Sequence, residues 1–166
     1  MAKVLGAISI VLLWSISSAT MAGEETVRLT DLDIVEPSVE VPSSRRGRAI
    51  EDTGVLMFGF GIILRPSGVR PDGVSITFRL NRWFTDFSAS FGIAKDNQCH
   101  GGESITFQLL ADEIRLVAAM RIRDEKGFSF RNLNVSGVTT LTIQAKSDSH
   151  GTDCVAGVVE SPKVWR

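Results

Sequence analysis

The side chains with the widest chemical range fall in two short polar stretches. Lys95-Asp96-Asn97-Gln98-Cys99-His100-Gly101-Gly102 holds one of the two cysteines and one of the two histidines, and Ser147-Asp148-Ser149-His150-Gly151-Thr152-Asp153-Cys154 holds the others. Thiol, imidazole and carboxylate together could serve a metal, a nucleophile or a ligand. For a Cys2His2 zinc site the adjacent pair Cys99-His100 is a poor chelate compared with the usual Cys-x2-4-Cys spacing. A Cys99–Cys154 disulfide is the expected pairing in an exported chain, with two unpaired thiols as the remaining alternative. The bridge would close a loop of about 55 residues and contribute about 4 kcal/mol, less any strain, in the chain-entropy description. Asp96, Asn97, Asp148 and Asp153 offer oxygens that would suit a structural calcium ion, although they match no EF-hand spacing. No other metal and no cofactor is expected.

Catalysis finds little support in the residue pattern. There is no Gly-x-Ser-x-Gly, no His-Glu-x-x-His and no phosphate-binding loop. The nearest catalytic grouping is His150 with Asp148 or Asp153, in a stretch whose Ser, Gly and Thr fit plain turn chemistry. A glycosidase would need two opposed carboxylates in a cleft, and sequence spacing along β-structure does not place any pair together. The chain is therefore read as a non-enzyme. Sugar binding asks for less: an aromatic face for the C–H surface of a sugar and a few polar groups for its hydroxyls. Trp83 and Trp165 are the aromatic candidates. Arg82, Asp96, Asn97, His100, Asp148, His150 and Asp153 are the polar ones.

These residues must be positioned by strands. Phe87, Ala89, Phe91 and Ile93 alternate with Ser88, Ser90 and Gly92, the period of a strand with one buried face. Val74, Ile76, Phe78 and Leu80 alternate in the same way, as do Ile105, Phe107 and Leu109, then Phe128 and Phe130, then Leu141, Ile143 and Ala145. Ala111-Asp112 reads as a tight connection from Ser104–Leu109 to Ile114–Val117, a hairpin without the usual Asn-Gly or Asp-Gly. Val27 and Leu29 share one parity and Leu32 and Ile34 the other, so a bulge or turn is expected near Asp31. Val55–Leu64 is almost wholly apolar, which predicts a central strand buried on both faces, or a strand and a kink. Asn132–Gly137 is read as a turn and contains the glycosylation sequon Asn134-Val135-Ser136. Cys154–Val159 is read as a short run, with Ser161–Trp165 as a separate closing segment. The count is about eight or nine antiparallel strands with no convincing helical period, an all-β fold. A jelly-roll β-sandwich is preferred to a closed barrel.

The total of 166 residues suits one domain preceded by a leader. Lys3 and the apolar run Val4–Ile16 lead to small residues, the pattern of a signal peptide over residues 1–22, cleaved after Ala19 or Ala22. The domain is then residues 23–166, secreted or periplasmic, with no later run able to span a membrane. Without Lys3 there remain 17 basic and 19 acidic residues. That balance excludes the basic face that nucleic acid requires. The one basic cluster, Arg45-Arg46-Gly47-Arg48, sits among Pro42, Ser43 and Ser44 and reads as a solvated loop.

The order of segments resembles the NPCBM/NEW2 family, carbohydrate-binding modules found beside family 98 glycosyl hydrolases. The resemblance runs from about Glu25 to Trp165. It is carried by Val27-Arg28-Leu29-Thr30-Asp31-Leu32, Phe58-Gly59-Phe60-Gly61-Ile62, Ser75–Leu80, Phe84–Ile93, Ser104–Asp112 and Asn134–Leu141. It implies a galactose-binding-like jelly-roll, a non-catalytic role and a carbohydrate ligand. Two segments depart from the family pattern. Ile63-Leu64-Arg65-Pro66 stands where the family has His-Ala-x-Ser, and Ala156-Gly157-Val158-Val159-Glu160 where it has Asp-Trp-x-Asp. These departures leave a second reading open, a cell-envelope structural or protein-interaction domain that keeps the fold without a sugar site and takes another envelope protein as its partner.

Overall fold

A computed structural model describes residues 25–36, 49–50, 54–66, 73–95, 103–123, 127–148 and 155–166. Thirteen strands appear among them: β1 (Thr26–Arg28), β2 (Ile34–Glu36), β3 (Ala49–Ile50), β4 (Val55–Phe58), β5 (Gly61–Leu64), β6 (Val74–Arg79), β7 (Asp86–Lys95), β8 (Ile105–Ala111), β9 (Ile114–Arg115), β10 (Met120–Ile122), β11 (Phe128–Asn134), β12 (Thr140–Ser147) and β13 (Val155–Trp165). Eight of these have four residues or more. The other five have two or three residues, too few to carry a readable alternation. A single 3-10 turn, Leu29–Asp31, is the switch expected near Asp31.

The strands form two antiparallel sheets. One has the order β11-β7-β13-β5-β4-β3, with β1 also on β13, and the other β10-β8-β12-β6-β2, with β9 also on β8. Their inner faces make the core, and the alternation read from the sequence gives its membership. Phe87, Ala89 and Phe91 of β7 and Val155 and Val159 of β13 are buried, facing Ile76, Phe78, Ile105, Phe107, Leu109, Leu141 and Ile143 of the second sheet. The rings of Phe91 and Phe107 meet edge to face across the sheets at 5.2 Å, and Phe128 stacks on Phe91 at 5.0 Å. Gly157 gives Phe107 its place, since a Cβ there would lie 2.6 Å from the Phe107 Cζ.

Three sequence expectations change. Val55–Leu64 is a hairpin of β4 and β5, with Phe58 paired to Gly61 across a two-residue turn at Gly59-Phe60. Its second strand, β5, is inside the sheet between β13 and β4 and is largely buried, and β4 lies nearer the β3 edge. Asn132 is not in a turn between strands, because β11 runs on to Asn134 through a register shift between Phe130 and Leu133. Asn132 has φ +54° there. The last two segments are one strand, β13, whose register shifts between Glu160 and Lys163 around Ser161, φ +48°. Pro162 sits within that irregularity, where a missing N–H is tolerated.

Candidate functional site

Trp83 lies at the end of the sandwich where β6 gives way to β7. The chain reverses there through Asn81 and Arg82, both left-handed with φ +54° and +63°. The Trp83 N–H donates to the Leu80 carbonyl at 3.1 Å and closes the turn. Neighbouring segments brace it. The amides of Leu80 and Asn81 donate to the Thr139 carbonyl, and that of Arg82 to the Val138 carbonyl. Phe84 plugs into the core, and the Thr85 N–H donates to the Trp165 carbonyl at 2.8 Å. The turn is thus fixed at both flanks while the Trp83 indole stays 61% exposed.

Arg166 completes the surface. Its guanidinium carbon is 5.5 Å from the ring centres of both Trp83 and Phe84, within cation–π range. Its Nη1 meets Glu25 Oε2 at 3.2 Å. Trp83 and Arg166 line an open depression of about 340 Å3. Arg82 points its Nε at the Thr139 hydroxyl at 3.4 Å. The neighbouring β8–β9 turn is built from Asp112 and Glu113, φ +48° and +69°. Asp112 accepts from the Thr139 and Thr140 amides at 3.0 and 2.8 Å and from the Thr140 hydroxyl. Burial of its carboxylate is the largest single influence and opposes ionisation, but the Thr140 and Thr139 hydrogen bonds and the Arg82 charge together outweigh it and hold its pKa below the usual value. The arrangement offers an exposed aromatic ring and a guanidinium in one shallow place, with the Asp112 carboxylate engaged in bracing the neighbouring turn.

Asp148 is elsewhere. It follows β12 at the opposite end of the sandwich and accepts from Ser104 Oγ at 2.8 Å and Thr106 Oγ1 at 3.1 Å, with Arg121 Nε at 2.7 Å. It joins β8, β10 and β12, and this network occupies the carboxylate that the His150 grouping would have used. Trp83 lies near the start of β12, where Thr140 pairs with Arg79, and Asp148 lies past its end, so the eight-residue length of β12 keeps the two apart, by about 26 Å at ~3.3 Å per residue. Asp96, His100, His150, Asp153 and both cysteines, Cys99 and Cys154, lie outside the described residues. Among the described residues no group of three or more His, Cys, Asp or Glu is arranged for a metal ion. Trp165 is half-buried on β13 and its carbonyl, not its ring, serves the Trp83 turn. Sequence reading missed Arg166, Asp112 and Thr139. Asp112 had a signal, a tight turn without glycine whose acid could bond the backbone; Arg166 had none.

The NPCBM/NEW2 domain family model matches residues 24–158. No curated protein matches the chain by sequence. Among solved structures, the second CBM51 with the INT domains of Clostridium perfringens ZmpB is similar at 17% identity and TM-score 0.62, over 86% of this chain and 32% of that one. The same region of ZmpB in complex with GlcNAc gives 16% and 0.61. The CBM51 of a Clostridium perfringens GH95 protein, in complex with methyl-galactose, gives 17% and 0.53, over 84% of this chain and 99% of that one. This chain thus spans about a third of the ZmpB chains and nearly all of the smaller one. These likenesses agree on an all-β sandwich.

Proposed function

This chain belongs to the NPCBM/NEW2 domain family, and from that premise we propose that it is a secreted or periplasmic, non-catalytic module that binds carbohydrate at the Trp83 end of the sandwich. The carrying observation is the Trp83 indole, 61% exposed on a turn fixed at both flanks. Such a ring offers a flat surface to the C–H face of a sugar at little entropic cost. Arg166 and Arg82 supply donors for hydroxyls. The sugar complexes of the two structural relatives, with GlcNAc and methyl-galactose, support the ligand class. The apolar leader and the even number of cysteines support the export reading, with the leader over residues 1–22 and the domain over 23–166.

One observation favours the second reading, an envelope interaction domain. The two segments that depart from the family pattern are ladder partners, with Leu64 opposite Gly157 and Ile63 opposite Val158. Together Ile63, Leu64, Gly157 and Val158 make an apolar strip in this chain. A glycan array with the purified mature protein separates the readings. Wild type is expected to bind, and Trp83→Ala to bind about tenfold or more weakly with an unchanged unfolding temperature, since a stacked aromatic contributes about 1.5 kcal/mol or more. A folded wild-type protein that binds no glycan would sink the carbohydrate reading and leave the second.

A further inference from the structure

A second pocket lies where the β4–β5 turn meets the edge of β1 and the irregular part of β13. It encloses about 110 Å3, about a third of the volume beside Trp83, and is lined by Arg28, Thr30, Phe60, Ser161, Pro162 and Lys163. Two of these are cations and none is an acid. Arg28 and Lys163 are register partners across the antiparallel β1–β13 pair. Like charges in directly opposite positions repel and weaken such a pair. Arg28 donates from Nη1 to the Gly59 carbonyl at 3.1 Å, which holds its guanidinium against the β4–β5 turn. The Lys163 ammonium meets no carboxylate among the described residues. The acids nearest along the chain, Asp31 and Glu160, stay out of the lining and form no ion pair. Phe60 stands 73% exposed at the rim. The Thr30 hydroxyl has no hydrogen-bond partner, an uncommon state for a buried polar atom.

An anion placed between the two cations would replace their repulsion by two charge-assisted contacts. We propose that this pocket binds an oxyanion, the carboxylate or sulfate group of an acidic ligand. Arg28 and Lys163 hold its oxygens, and Phe60 covers the apolar side of whatever carries it. The volume suits one anionic group. The proposal stands on these residues alone and does not depend on the role of Trp83.

The test is titration of the mature protein with sodium sulfate and, separately, with sodium glucuronate, read by amide chemical shifts. Sodium chloride at matched ionic strength removes the general effects of salt. Saturable shifts at residues 28, 60 and 161–163 are expected in wild type and in Trp83→Ala. Binding at least tenfold weaker is expected in Arg28→Leu and Lys163→Glu. Lys163→Glu places an acid opposite Arg28 and makes the cross-strand pair attractive. It should therefore unfold at or above the wild-type temperature, so its loss of binding cannot be put down to misfolding. Response to sulfate alone assigns a sulfate ester, response to glucuronate alone a carboxylate, and response to both the shared oxyanion. No saturable shift with either salt, or equal binding by Lys163→Glu, would overturn the site. Either of those results, with glycan binding still lost in Trp83→Ala, removes the oxyanion pocket and leaves the sugar reading standing.

Discussion

Asp112 carries more of the Trp83 end than its exposed position implies. It occupies a left-handed turn position at no glycine, which aspartate tolerates better than most residues. Its carboxylate also ties the β8–β9 turn to the start of β12 through the Thr139 and Thr140 amides. Asp112→Asn is expected to lower stability at neutral pH by about 1 kcal/mol, the low end for a bond to a charged group because water competes at this site. The folded pKa lies below the unfolded value of about 3.9, so the contribution of the carboxylate is present above that pH and lost as pH falls through the folded pKa. Chemical denaturation from pH 7 to 2 should show the difference between wild type and variant narrowing below about pH 3.9; a constant difference would assign the effect to the turn alone. Gly157 illustrates the opposite case, a residue that matters through what it lacks. Gly157→Ala would push a methyl into the Phe107 ring at 2.6 Å. An overpacking loss of about 1–3 kcal/mol is expected in urea denaturation, and Phe107→Leu in the same chain should recover part of it. Neither role was open to sequence reading. Asp112 could be seen as a turn residue but its partners lie 27 and 28 residues away, and the need for glycine at 157 arises only when β8 and β13 face each other.

At the scale of the elements, strands whose alternation is unbroken were legible from the chain, and those that change parity midway were not. Val74–Leu80, Phe87–Phe91, Ile105–Leu109 and Leu141–Ala145 place every alternate residue in the core. In β13 the buried set passes from Val155 and Val159 to Val164, an odd-to-even change, because Ser161 and Pro162 add a residue to the ladder. The sequence therefore read as two pieces. Phe60, a large apolar residue, likewise masked a turn, since nothing in its composition marks it as exposed. The same long strand supports the cysteine expectation. Val155, next to Cys154 in the chain, pairs with Lys95, four residues before Cys99. We expect a Cys99–Cys154 bond in the exported protein. Intact mass before and after reduction should differ by two hydrogens, and reduction should lower stability by about 4 kcal/mol, less any strain; an identical mass in both states would refute the bond.

Across the whole molecule the two ends of the sandwich differ in kind. One end carries turns held rigid by backbone and carboxylate bonds, with Trp83 and Arg166 displayed on them. The other carries the Asp148 network, which ties Ser104, Thr106 and Arg121 together. Sequence reading placed Trp83 and Asp148 in one set of candidate residues. The length of β12 separates those two, which is a distance that no motif encodes. The fold class and core were legible because they depend on periodicity, and the candidate surface was legible only in Trp83 because it depends on which ends of distant strands coincide. One of those coincidences has a mechanical meaning. β1 and β13 are antiparallel partners, with Thr26 beside Trp165, and the Glu25–Arg166 ion pair lies just past them. Tension applied through the two ends of the domain would load this pair as a zipper. The bonds would open one after another from Glu25–Arg166 inward, and the arginine that leans on Trp83 would be the first group drawn away.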